Sequence, residues 1–130
     1  MSSVYAEGGN YRIELDEGIA RCVVWRRPDV DGQTGAAWAK EKISHFKALA
    51  RGPARALVFD LRQAPPVTGP KTQEALGQML ESFERARRPV AVLVGDHAVQ
   101  KLQLQRVVAD CCPNVGAVFS DEAAADRHAR

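Results

Sequence analysis

Apolar and polar residues alternate near the start of the chain, in the pattern of half-buried strands. Residues 11–15 alternate with a period of two, and Ile19–Trp25 is a second run rich in β-branched residues. Only residues 16–18 separate the two runs, so we expect an antiparallel hairpin. The residues before this hairpin are small and polar, which predicts a flexible tail over residues 1–9.

Three later apolar runs are continuous, which is typical of strands covered on both faces. They span residues 56–61, 90–94 and 115–119. Segments with apolar residues three and four apart lie before the first of these runs and between the runs, and they predict three helices. An alanine-rich segment predicts a closing helix. Strand–helix–strand crossovers require parallel neighbours. The pattern therefore predicts an α/β fold in the order β-β-α-β-α-β-α-β-α, a mixed five-stranded sheet with an antiparallel first hairpin, and one domain over residues 10–130.

Composition narrows the classes of partner and cofactor. The chain has 130 residues, with 18 lysines and arginines against 16 acids spread evenly, so a nucleic-acid partner is not expected. Three cysteines without paired spacing predict neither a disulfide framework nor a zinc site, and no motif predicts another metal or a cofactor. The longest apolar run is far shorter than the roughly 18 residues of a membrane span. Because the start lacks the features of a secretion signal, we expect a cytoplasmic protein.

The order of elements and the segment 56–72 carry a family resemblance. That segment reads Ala-Leu-Val-Phe-Asp-Leu-Arg-Gln-Ala-Pro-Pro-Val-Thr-Gly-Pro-Lys-Thr, a buried strand, a turn and a helix start. From about Tyr11 to Ala125 the chain resembles the STAS family, the sulphate transporter and anti-sigma-factor antagonist domains, and more loosely their lipid-binding relatives. In the antagonists this turn contains a serine that a partner kinase phosphorylates. The matching positions here are Thr68 and Gly69, so the serine is absent, and Thr68 and Thr72 are the nearest hydroxyls.

Loops beyond the carboxyl ends of parallel strands are where ligands bind in open α/β sheets. Three such loops hold polar residues, which we take as candidates for a shared pocket or a partner-binding rim. The alternative is local, because turns and helix starts require the same residue types. The candidates are Asp60, Arg62, Thr68, Lys71, Thr72, Asp96 and His97.

Asp96 and His97 also suggest acid–base chemistry, since histidine titrates near neutral pH. A general base needs a partner nucleophile or proton source, and the sequence contains no nucleophile, metal-protease or phosphate-loop motif. We therefore predict a protein that is not an enzyme. An enzyme would require both side chains to meet in one cleft.

The loop of residues 26–31 concentrates charge of both signs between Trp25 and Trp38. Arginine beside aromatic residues is enriched at protein interfaces. The loop is thus either an interface or simply a solvated connection.

Two functional hypotheses follow. The first is a STAS-like regulatory domain that binds another protein, such as a kinase or a regulator, through the turn at Thr68–Lys71 and the Asp96 loop. The second is a small-ligand or lipid-binding module, for which an apolar cavity lined by Trp25, Trp38 or Phe59 would be the deciding observation. An exposed apolar face on the helix that begins at Pro70 would indicate a homodimer.

Overall fold

Four helices and a single mixed sheet make up the described part of the chain. The computed structural model describes residues 2–66 and 68–130. The elements are β1 (Ser2–Gly8), β2 (Tyr11–Asp16), β3 (Ile19–Trp25), α1 (Gly32–Arg51), β4 (Ala56–Gln63), α2 (Pro70–Ala86), β5 (Val90–Leu93), α3 (Ala98–Cys111), β6 (Gly116–Phe119) and α4 (Glu122–Ala129). The strands lie side by side in chain order. Neighbours are antiparallel from β1 to β3 and parallel from β3 to β6, so the predicted α/β class and mixed sheet are confirmed.

The sheet has six strands within the described residues, and the prediction of five was wrong. The additional strand is β1, in the segment for which we predicted a flexible tail. It pairs antiparallel with β2 from Ser2 opposite Asp16 to Gly8 opposite Tyr11. Most of its residues are exposed, so its place at the sheet edge rests on main-chain hydrogen bonds, and these leave no apolar pattern in the sequence.

The expected hairpin between β2 and β3 is present and turns through two residues. Asp16 pairs with Ile19, which leaves only Glu17 and Gly18 in the turn. Both have positive φ, 50° for Glu17 and 82° for Gly18. A two-residue turn with two such residues matches the right-handed twist of the paired strands.

Most of the core lies between the sheet and helices α1–α3. Right-handed crossovers between neighbouring parallel strands place successive helices on the same face. Phe46 of α1 stands edge-on to Phe59 of β4 at 5.2 Å between ring centroids, and to Phe83 of α2 at 6.3 Å. On the opposite face, Ala125 and Ala129 of α4 form a smaller apolar cluster with residues of β4 and β5.

The three cysteines are packed against the core of the molecule. Cys22 and Cys112 have no exposed surface, and Cys111 is partly buried. Burial raises the pKa of both Cys22 and Cys112 to about 12. Neither thiol is therefore ionised or reactive in the folded chain at neutral pH.

Exposed apolar side chains lie on β1 and α3. Val4 and Tyr5 are exposed on β1, and Val99 and Leu102 on α3. None of the large exposed apolar residues in the described ranges belongs to α2, so the face expected to indicate a homodimer is not found there. No helix within residues 2–66 and 68–130 is long and apolar enough to cross a membrane.

Candidate functional site

A cleft of about 750 Å³ opens between the first halves of α1 and α2, beyond the carboxyl ends of β3 and β4. Val24, Phe59 and Leu61 of these strands line its sheet side, with Ile43 of α1 and Met79 of α2 on the walls. Ligands of open α/β sheets bind at this edge. The volume lies within the roughly 300–1,000 Å³ of small-molecule sites.

Both tryptophans of the chain line this cleft. Trp25 is the last residue of β3, and Trp38 stands on α1. Trp38 lies against the backbone of Gly9, where an added Cβ would come within 1.9 Å of the indole Cζ2. The Trp38 ring also contacts Arg27, whose guanidinium carbon lies 5.3 Å from the ring centroid. The indole is therefore packed between the β1–β2 turn and the loop that precedes α1.

The charges of the loop over residues 26–31 are largely satisfied within the loop. Arg27 donates to both carboxylate oxygens of Asp29 at 2.8 and 2.9 Å, and to Gly9 O at 2.8 Å. Its hydrogen bonds lower the pKa of Asp29 to about 2. Asp31 caps α1 by accepting from the backbone N–H of Thr34 at 2.8 Å. The loop thus starts α1 and positions Trp38.

Lys42 is a buried cation on the cleft wall, with 6% of its surface exposed. Its Nζ donates to Asn10 Oδ1 at 3.0 Å and lies 5.4 Å from the centre of the Tyr11 ring. The Tyr11 hydroxyl donates to Glu41 Oε1 at 2.7 Å. Burial lowers the pKa of Lys42. We did not select Lys42 from the sequence, although it lies three residues after Ala39 and four before Phe46, on the apolar face of α1.

Charged residues around the cleft are of one sign. Five of its lining side chains are basic, and none of the lining residues that the structure describes is aspartate or glutamate. The N-terminal turns of α1 and α2 also face the cleft and add the positive end of the helix dipole. The basic side chains are Arg26, Arg27, Lys40, Lys42 and Lys71.

Three of the residues selected from the sequence, Thr68, Lys71 and Thr72, line this cleft. Gln103 of α3 holds Thr68 in place, since its Oε1 accepts from Thr68 N at 3.1 Å and its Nε2 donates to Thr68 O at 3.3 Å. Gln73 Nε2 also donates to Thr68 O, at 3.0 Å. Side-chain amides thus fix the loop at the mouth of the cleft.

Asp60 and Arg62 do not share a pocket with Thr68 among the described residues. Arg62 donates to Asp60 through Nε at 3.0 Å and through Nη2 at 2.7 Å, and its backbone N–H donates at 3.1 Å. Burial would raise the pKa of Asp60, but these bonds outweigh it and hold the pKa below its ordinary value. Arg62 Nη1 also lies 3.7 Å from Glu122 Oε2, so the pair faces α4.

Asp96 and His97 are exposed before α3, and neither is among the described residues that line the cleft. The cap residue of α3 is His97 rather than Asp96, and it makes no side-chain capping bond. The candidate residues therefore fall at three separate places. No group of three or more histidine, cysteine, aspartate or glutamate side chains could hold a metal ion in the described ranges.

Comparisons of the chain with protein-family models, curated proteins and solved structures found no match. The geometry of the cleft is thus the ground for a functional proposal.

Proposed function

We propose that this chain is a small-ligand-binding module that takes the apolar part of its ligand into the cleft between α1 and α2. The observation that carries the proposal is the cleft of about 750 Å³ lined by Trp25, Trp38 and Phe59. An apolar cavity with these residues is what separates a ligand-binding module from a domain that only presents a surface to partners.

The character of the walls supports this function. The wall residues from both helices and both strands are mainly aliphatic or aromatic, and polar and basic side chains such as Lys42 and Lys71 stand among them. Small-molecule sites combine mostly apolar walls with a few polar groups that orient the ligand. Large aromatic side chains contribute much of the apolar contact that a ligand can gain on leaving water.

The tryptophans provide the assay, because the chain has only two and both line the cleft. We expect octan-1-ol, a neutral apolar probe, to shift the tryptophan emission in a saturable titration. Binding should also stabilise the fold, by about 2.7 kcal/mol at 100 times the Kd.

Two alanines of α1 make a matched pair of variants. Ala39 lines the cleft and is partly buried, whereas Ala37 is exposed and is not among the described lining residues. Ala39→Phe should fill the cleft and abolish the titration, and Ala37→Phe should leave it unchanged. No saturable change with the unmodified chain, or equal binding by both variants, would refute the proposal.

A regulatory, STAS-like role in protein binding is the second candidate. Thr72 is exposed on the first turn of α2 beside Lys71, at the mouth of the cleft. A phosphoryl group there would lie near the positive end of the helix dipole. If this role is correct, a partner captured by the unmodified chain should be lost with Thr72→Glu and retained with Thr72→Ser. The absence of any specific partner would count against it.

A further inference from the structure

The ammonium group of Lys42 forms no ion pair in the part of the chain that the structure describes. Its one side-chain hydrogen bond goes to the neutral amide oxygen of Asn10. Removing a charged group from water is costly unless it is paired. The structure therefore places a desolvated cation on the wall of a cleft that also has large apolar walls.

The Glu41 carboxylate attracts the Lys42 ammonium group, but the two form no ion pair within the described ranges. Glu41 follows Lys40 on α1 and accepts a hydrogen bond from the Tyr11 hydroxyl, and its own side chain is on the exposed side of the helix. The other charged residues of the lining are basic, although the whole chain carries a net charge of only +2. Positive charge is thus concentrated at this cleft rather than spread evenly over the molecule.

We propose that Lys42 binds the carboxylate of an amphipathic ligand whose apolar part fills the cleft. This inference rests on the proposed ligand-binding function and names the class of ligand, an organic monoanion. Asn10 lines the same cleft, and its side-chain NH₂ group supplies a second donor. At the buried wall the donors are one ammonium and one amide, which suit a carboxylate. The helix N-termini at the cleft favour any anion, so a phosphate ester is compared with the carboxylate in the test.

The test compares three ligands that each contain eight carbon atoms, namely octanoate, octan-1-ol and octyl phosphate, by tryptophan emission at neutral pH. The unmodified chain should bind octanoate roughly ten-fold or more tightly than octan-1-ol, as expected for a hydrogen bond between charged groups. Lys42→Met should bind octan-1-ol as before and lose the preference for octanoate. Lys40→Met is the matched control, since Lys40 lines the same cleft but is exposed, and it should retain most of the preference.

Each other outcome has one meaning. Equal binding of octanoate and octan-1-ol by the unmodified chain would overturn the role of Lys42 while the cleft remained a ligand site. Binding of none of the three ligands would overturn the proposed function as well. Tighter binding of octyl phosphate than of octanoate would overturn the carboxylate assignment. If Lys42→Met does not fold, Lys42→Gln replaces it, and the comparison of ligands on the unmodified chain still decides the question.

Discussion

Replacement of Arg62 by methionine tests whether the Asp60–Arg62 pair is structural. The substitution keeps much of the aliphatic stem and removes the guanidinium that makes two side-chain hydrogen bonds to Asp60. The Asp60 side chain is only 4% exposed, so in the variant its carboxylate stays buried with the backbone N–H of residue 62 as a remaining donor.

The exposure of the two side chains sets the size of the effect. Breaking a fully buried pair costs about 3–5 kcal/mol, and breaking an exposed pair costs at most about 1 kcal/mol. The Arg62 side chain is 41% exposed while that of Asp60 is buried, so the pair is intermediate. We expect Arg62→Met to lower the free energy of unfolding by about 2 kcal/mol at neutral pH.

The stability lost in Arg62→Met should become smaller as pH falls. The pKa of Asp60 is lowered in the folded chain, so the pair stabilises the fold above the ordinary carboxyl pKa of about 3.9 and loses this effect as pH falls through the lower, folded-state value. In the variant, burial without Arg62 should raise the pKa of Asp60. The difference in stability between the unmodified chain and the variant should therefore begin to shrink as pH falls through the raised pKa of the variant. It should go on shrinking until pH reaches the lowered pKa of the unmodified chain.

Urea unfolding of both proteins between neutral and acidic pH measures this difference. The double variant Asp60→Asn, Arg62→Met is the control, because it removes the buried charge and should recover part of the loss. Octan-1-ol binding should be unchanged in all three proteins, since neither residue is among the described lining of the cleft. A stability loss that is the same at every pH would refute the ion-pair explanation and point to lost packing of the arginine stem.

Three further substitutions test the loop, a close helix contact and the cysteines. Gln103→Ala should cost about 1 kcal/mol and speed proteolytic cleavage near Thr68, because two hydrogen bonds to that residue's backbone are lost; unchanged cleavage would show that Gln103 does not hold the loop. Gly77→Ala should destabilise the fold by about 1–2 kcal/mol in urea unfolding, since the new Cβ would lie 2.7 Å from the Cys111 sulfur. Adding Cys111→Ala should remove this clash and restore the lost stability. In the folded chain a thiol reagent should modify Cys111 alone, because Cys22 and Cys112 have no exposed surface. Rapid modification of more than one thiol would contradict this packing.

The sequence predicted those parts of the fold that depend on burial. Continuous apolar runs marked the strands β4, β5 and β6, and the short connection over residues 16–18 marked the hairpin of β2 and β3. Strand β1 was missed because an exposed edge strand needs no apolar pattern, and its pairing with β2 is made by backbone groups that every residue possesses. The few side-chain contacts of β1, such as that of Tyr5 with His45, leave no apolar pattern from which the strand could be predicted.

The residues selected from the sequence do not share one site, and the geometry of the strand explains why. Successive side chains of a strand point to opposite faces of the sheet, so Phe59 and Leu61 line the cleft while Asp60 and Arg62 turn towards α4. A selection of polar residues near the end of a strand therefore mixes residues from both faces of the sheet, of which only one face borders the cleft. The residue with the most informative position was Lys42, because a charged side chain on the apolar stripe of α1 has to be buried when the helix packs. In a chain without a recognisable motif, a charge that interrupts an apolar stripe indicates a site more directly than polar residues in loops, where turns and helix caps require them anyway.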